Sequence, residues 1–321
     1  MRQKQVGLIL LILAVAGCST PVSPTPLPTE AGVPVVLSPT LTPKSIITST
    51  ATLFPATSTP TQTHTPIPAE PQPISFKPSA IIAKIEGGTK SFLLLGGNQN
   101  GNWVSAADVA GVIAIDSEFK IYTAYEFQDW IPVQELRHEP FCNQYYISLD
   151  PTSTDQSAVG VAGDWPVLPR TPQEIPLDTE IYLQAVAAWQ VEQAPSQPIA
   201  AINKIWKVDI EGNGTDEVFI SATRFAEPTG HNVEPRDYSV VLMRTVIGPE
   251  VVTVKLVGDY YSEAVENRFP LTYKLEFIGD LNADGQMEVV VGVSRWEGMG
   301  VMVFEVDGDE VQLVLSVMCS Q

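Results

Sequence analysis

Two short acidic stretches, DIEGNGTDEV from Asp209 and DLNADGQMEV from Asp280, stand between runs rich in β-branched residues and share one pattern. An acid opens each stretch, oxygen-bearing side chains follow at every second position, glycine holds position six and glutamate position nine. A turn that needs the backbone freedom of glycine, flanked on both sides by Val, Ile and Phe, reads as strand, tight loop, strand. The pattern occurs twice, at an offset of 280 minus 209, or 71 positions, so the chain from Ile202 onward is expected to fold as a duplicated β unit.

The flanking sequence fills in that unit. After Ile202 come KIWKVDI, EVFISATRF, YSVVLMRTV and VVTVKLVGDYY, and then, in the same order, TYKLEFIGDL, MEVVVGVSRW, GVMVFEVDG and EVQLVLSVM. Polar or glycine-bearing turns separate them, which predicts two tandem four-stranded antiparallel meanders. The offset is long for one repeat, and the polar insertion AEPTGHNVEPRD accounts for the excess.

Alternating inward-pointing oxygens can surround a hard cation, and calcium takes six to eight oxygens from carboxylates, amides, carbonyls and water. An EF-hand is excluded, because its loop closes on an acid at position twelve and here that position is Ile220 or Val291 inside a strand. The loop must therefore close on Glu217 and Glu288. The other reading of the same residues is an acidic β-turn whose Asp and Asn oxygens accept from backbone amides.

The pattern over residues 200–321 resembles the FG-GAP or VCBS type of repeat of integrin-like β-propellers, in which such a loop joins the first two strands of a blade. The resemblance implies a structural calcium ion held by the side chains at positions one, three, five and nine and by the carbonyl of position seven. In the second loop these are Asp280, Asn282, Asp284, Glu288 and the carbonyl of Gln286. In the first they are Asp209, Glu211, Asn213, Glu217 and the carbonyl of Thr215. Two departures stand out: Glu211 is one methylene longer than the usual residue, and both loops end in Glu where Asp is usual. A closed propeller needs more than two blades, and without them the two meanders would pack as a sandwich.

Upstream, residues 76–175 read as a small α+β region. AIIAKIEGG and SFLLLGG look like strands ending in glycine turns, and FKIYTAYEF returns to alternation. A helix is expected over VSAADVAGVIA, with Ser105 and Asp108 placed as a capping box. SLDPTSTDQSAVGVAGDWPVLPRTPQEIP has no period and reads as a surface loop. From residue 176 a longer helix is expected over DTEIYLQAVAAWQVEQ, capped by Asp178 and burying Ile181, Ala185, Ala188 and Trp189. The expected fold is mainly β with minor α: this α+β region, then a helix and two blade-like meanders over 176–321.

Residues 1–17 carry Arg2 and Lys4 ahead of an apolar run too short to span a bilayer, the pattern of a secretory signal. VAGC resembles the lipobox of bacterial lipoproteins, which implies lipidation of Cys18 and a membrane anchor on the extracytoplasmic face. Two or more acyl chains would make that anchoring stable. Residues 18–75 are dominated by Thr, Pro and Ser and read as a disordered tether. Such a tether can reach on the order of 100 Å. The formal charge is −19, and removing the two positive charges of the signal leaves −21, which excludes nucleic acid as an expected partner. Cys142 and Cys319 allow one disulfide in an exported chain, with two buried thiols as the other reading.

None of the three histidines, His64, His138 and His231, stands in a metal-ligand spacing, and no nucleophile elbow, Walker loop or dinucleotide fingerprint occurs. Asp164 with Trp165, and Trp296 with Glu297, are candidates for a sugar-binding surface, against ordinary aromatic packing. The expectation is a non-catalytic binding or scaffolding protein that meets an extracellular protein or glycan. An envelope hydrolase using paired carboxylates and a solute-binding receptor are the alternatives.

Overall fold

The computed structural model describes residues 79–84, 91–115, 117–149, 156–195, 197–227, 231–296 and 298–319. The expected signal, Cys18, the tether and His64 lie outside them. The fold is mainly β, with two helices among the described residues. Among the described residues no helix is long and apolar enough to cross a membrane.

The first region holds β1 (Ala80–Lys84), β2 (Phe92–Gln99), β3 (Asn102–Ser105), α1 (Ala106–Ala110), β4 (Glu118–Tyr122), β5 (Phe127–Glu139), β6 (Gln144–Leu149) and β7 (Ala158–Ala162). Its strands run antiparallel in the order β1-β7-β4-β5-β6-β2, and β1 pairs back onto β2, closing a six-stranded barrel with β3 attached to β2. Ile82, Leu94, Phe119, Ile121, Ile131 and Ile147 fill its interior. This differs from the expected α+β region: among its described residues the one helix is five residues long. Ser105 and Asp108 do form the capping box, but Gly111 ends the helix before Val112 and Ile113.

β7 lies in the stretch read as a surface loop. AVGVA has little bulk for a reason, since a Cβ on Gly160 would lie 2.6 Å from Ile82 and 2.8 Å from Ile121, the side chains of the strands on either side. A barrel position squeezed from both flanks selects glycine and so erases the usual strand signal.

The second region holds β8 (Gln173–Glu174), α2 (Glu180–Gln193), β9 (Ile202–Val208), β10 (Glu217–Arg224), β11 (Asp237–Ile247) and β12 (Glu250–Tyr261), and then β13 (Thr272–Gly279), β14 (Glu288–Arg295), β15 (Gly298–Asp307) and β16 (Glu310–Met318). All eight strands expected after Ile202 are present, with ends within two residues of those expected. The sheets are not simply two four-stranded meanders: β8 adds to β9, giving the five-stranded order β12-β11-β10-β9-β8, while the last four strands form β13-β14-β15-β16.

These sheets stack. α2 covers the outer face of the five-stranded sheet, with Val186 and Trp189 against Ile205, Ile220 and Val240. Its N-cap is Thr179 rather than Asp178, and Ile181 and Ala188 are exposed, so Ala185, Val186, Trp189 and Gln190 make the buried side. Between the two sheets Trp206, Phe219 and Met243 meet Leu275, Val289, Val291 and Phe304. The far face of the four-stranded sheet packs Phe277, Val290 and Val303 against Ile81, Leu95 and Val161 of the barrel. That sheet is thus buried on both faces, which is why β14 reads as a continuous valine run instead of an alternation. A bulge in β13 between Leu275 and Phe277 sets Glu276 outside the register, and its carboxylate accepts from the Ser157 hydroxyl at 2.6 Å. Cys142, in the β5–β6 turn, and Cys319, after β16, are joined as a disulfide with Cα atoms 5.0 Å apart.

Candidate metal centre

The two acidic loops join β9 to β10 and β13 to β14, and they are wired alike. In the first, Asp209 accepts from the amides of Gly212 (2.7 Å), Asn213 (3.1 Å) and Gly214 (2.8 Å). In the second, Asp280 accepts from Asn282 (3.3 Å), Ala283 (2.7 Å) and Gly285 (3.0 Å). Position five accepts from the amide of position seven, Asn213 from Thr215 at 2.8 Å and Asp284 from Gln286 at 2.7 Å. The closing glutamate accepts from the amide of position two, Glu217 from Ile210 at 3.1 Å and Glu288 from Leu281 at 2.6 Å. Positions four and six have left-handed backbone in both loops: Gly212 and Gly214 in one, Ala283 and Gly285 in the other. Asp at position one, glycine at six and Glu at nine thus make the same turn twice.

Position three is where the loops reach outward. Glu211 accepts from the Gly308 amide at 2.6 Å, in the β15–β16 turn, and from Asn213 Nδ2 at 2.6 Å. Asn282 donates to Asp284 at 2.9 Å and to Glu305 of β15 at 3.4 Å, and Trp103 of the barrel donates its indole N–H to Glu305 at 2.5 Å. The loops also abut one another. Met287 N donates to Ile210 O at 3.0 Å, and one nitrogen of Arg170 donates to both Ile210 O (2.8 Å) and Gly285 O (2.9 Å). Trp165 donates to Asp280 O at 2.9 Å, and the Asp280 amide donates to Val167 O at 2.8 Å. Arg170, Glu305 and Trp103 escaped sequence reasoning, because they come from distant strands or a loop and sit in no pattern of their own.

The electrostatics differ between the copies. Burial alone would raise Asp209, but the amides of Gly214, Gly212 and Asn213 and the Arg170 guanidinium hold its carboxyl below the ordinary range. Asp280 is 4% exposed, and its pKa is raised by burial, with Asp284 adding repulsion against the lowering effect of its amides. Glu217 is raised by burial and by Glu211 and Asp209, against its bond from Ile210. Glu288 is pushed furthest, to about 9, by burial and by Asp284, Asp280 and Glu305.

Among the described residues no group of three or more His, Cys, Asp and Glu stands close enough to hold a metal ion. The carboxylates are turned onto their own loop amides, as in the acidic-turn reading. The donor set nevertheless suits a hard cation: carboxylates, amide oxygens and the carbonyls of Thr215 and Gln286. Buried Asp280 and Glu288 form no ion pair with a basic side chain among the described residues. Both loops fit calcium in donor chemistry; the second also lacks positive charge, whereas in the first the Arg170 guanidinium already acts on Asp209.

The remaining candidates fall elsewhere. His138 sits 3.0 Å from Asn143 and stacks on Tyr145, and His231 packs against Phe269 and Trp296. Trp165 serves the second loop, Asp164 pairs with Lys120 at 3.4 Å, and Glu297 lies outside the described residues. No protein-family model, curated protein or solved structure matches this chain.

Proposed function

We propose that this chain is a membrane-anchored extracytoplasmic lipoprotein, attached through Cys18 and held off the surface by residues 18–75, whose folded part is a non-catalytic binding or scaffolding module. Its two meanders are blade-like repeats of the FG-GAP or VCBS kind, and calcium stiffens their loops. The observation that carries this reading is the shared hydrogen-bond wiring of the two loops around buried carboxylates that lack a cation. Calcium would supply the positive charge that Asp280 and Glu288 lack, and a ligand bound only by the folded state stabilises it. The module is expected to meet an extracellular protein or glycan, and its acidic surface disfavours nucleic acid.

Catalysis by paired carboxylates would need two acids converging in a cleft. Three clefts, of ≈ 440, 430 and 560 Å³, have among their described lining residues no acid, Glu174 alone and Glu276 alone.

The test is thermal unfolding in EDTA and then in millimolar calcium. The expected result is a rise in Tm with calcium, most of which Asp280→Ala combined with Asp284→Ala removes. An unchanged Tm in the wild type would reduce both loops to acidic turns. Mass spectrometry of the mature N-terminus tests the anchor separately, and an unmodified Cys18 would overturn it.

A further inference from the structure

β9 and β13 run toward the acidic loops and β10 runs away from one, so the first residues of β9 and β13 and the last of β10 share the opposite end of the stacked sheets. The charge there is reversed. A cleft of ≈ 560 Å³, within the usual range of small-molecule sites, lies at this end between the two sheets. Among the described residues its lining includes Lys204, Arg224 and Lys274, with Thr223, Thr272 and one acid, Glu276. The whole chain has 37 acids to 18 bases, whereas among the described lining residues, with Arg224 paired to Asp237, Lys204 and Lys274 still outnumber Glu276.

Two of the cations are held in place. Lys204 Nζ donates across the seam to Leu275 O at 2.8 Å and lies 4.4 Å from the centre of the Trp206 ring. Arg224 bonds to the buried Asp237 at 3.2 Å. Lys274 is exposed. Positive groups fixed before a ligand arrives lose less entropy when it binds.

A second, independent feature stands at the same end. Trp296 is 59% exposed and Phe269 36%, with ring planes within 24° and centroids 6.2 Å apart, and His231 braces both at 4.8 and 5.2 Å. Phe269 is three residues from Thr272 of the cleft, which bounds their Cα separation at about 11 Å. Trp296 is two residues from Ser294, the strand partner of Thr272. Exposed aromatic faces beside fixed cations and hydroxyl groups match a ligand with an apolar ring face, hydroxyls and a negative charge.

We propose that this end of the paired sheets binds an anionic saccharide, a uronate-bearing sugar whose carboxylate meets the Lys204, Arg224 and Lys274 side and whose ring lies on Trp296. The proposal rests on the reading of the chain as a binding module and is independent of calcium.

The experiment is calorimetric titration of the full chain in detergent and EDTA, so that calcium cannot bridge protein and sugar. The probes are cellobiouronic acid and digalacturonic acid, each beside its neutral counterpart, cellobiose and galactobiose. At least one acidic disaccharide is expected to bind about tenfold or more tightly than its neutral partner. Trp296→Ala and Lys274→Glu should each weaken that binding by about tenfold, with Lys274→Arg retaining it and circular dichroism unchanged. Failure of both acidic sugars to bind, equal affinity for the neutral ones, or full binding by the two weakening variants would overturn the proposal. The wild-type protein separates the readings: sugar binding without any calcium response in the Tm scans removes only the metal, and a calcium response without sugar binding removes only this site.

Discussion

The two acidic loops share a turn and a closing glutamate raised by burial, yet hold the charge of their opening aspartate in opposite ways. In the first, Asp209 is only half-buried and faces Arg170, and Glu217 takes a second bond from the Thr245 hydroxyl at 3.4 Å. In the second, Asp280 and Glu288 are both buried, Asp284 and Glu305 add repulsion, and among the described residues Glu288 accepts from the Leu281 amide alone. One sequence pattern sets the turn, while what packs over it sets the electrostatics. The second loop therefore has more to gain from a cation than the first.

The largest expected effect of that difference is on pH dependence without metal. Glu288 titrates near 9 in the folded state against an ordinary value near 4.5. A raised folded pKa means that the folded state binds the proton more tightly, so this contribution is fully present below the unfolded value and is lost as pH rises toward 9. In EDTA, urea unfolding at pH 5, 7 and 9 should show stability falling across that window by several kcal/mol, an order-of-magnitude expectation from burial of an ionised carboxylate. Glu288→Gln, which keeps an oxygen for the Leu281 amide, should flatten the slope. Glu217→Gln should change it less. Equal effects of the two substitutions would erase the contrast between the loops.

Next in size is the calcium response. At a hundredfold excess over its dissociation constant, a cation adds about 2.7 kcal/mol to the folded state. Asp280→Ala with Asp284→Ala should remove most of that gain, and Asp209→Ala should remove the smaller part, read as Tm shifts in matched EDTA and calcium scans. A larger loss from Asp209→Ala would invert the ranking.

Arg170 tests what the loops share. Its guanidinium bonds to a carbonyl of each loop and lowers Asp209. Hydrogen bonds from a charged donor contribute more than neutral ones, so Arg170→Ala should cost about 2 kcal/mol in denaturant unfolding. NMR titration should also find the Asp209 pKa moved upward while Asp280 changes less.

What could be read from the sequence follows from how local each signal is. The eight C-terminal strands were legible because Val, Ile, Tyr and Phe runs stop at polar turns, and the loop residues because their spacing is set within ten positions. The barrel was not. Its closing strand β7 gives up bulk at Gly160 to neighbours on two other strands, and β5 carries Pro132 inside a strand whose first four residues are exposed. Nor could the spacing show which loop would be buried, since that depends on Trp165, Val167, Glu305 and Trp103 arriving from elsewhere in the chain.

The smallest effect isolates the one backbone position where the copies differ. Position four is Gly212 in the first loop and Ala283 in the second, at φ values of 73° and 69°. Left-handed backbone costs a residue with a Cβ roughly 1–2 kcal/mol, whereas glycine adopts it freely but loses more entropy on folding. Ala283→Gly should therefore stabilise the second loop by about 0.5–1 kcal/mol, measurable by denaturant unfolding in EDTA. Gly212→Ala should destabilise the first by more than strain alone, because a Cβ there would sit 2.9 Å from the Arg170 guanidinium that joins the loops. Equal and opposite changes in the two variants would mean that only the backbone distinguishes the loops at this position, and that Arg170 yields without cost.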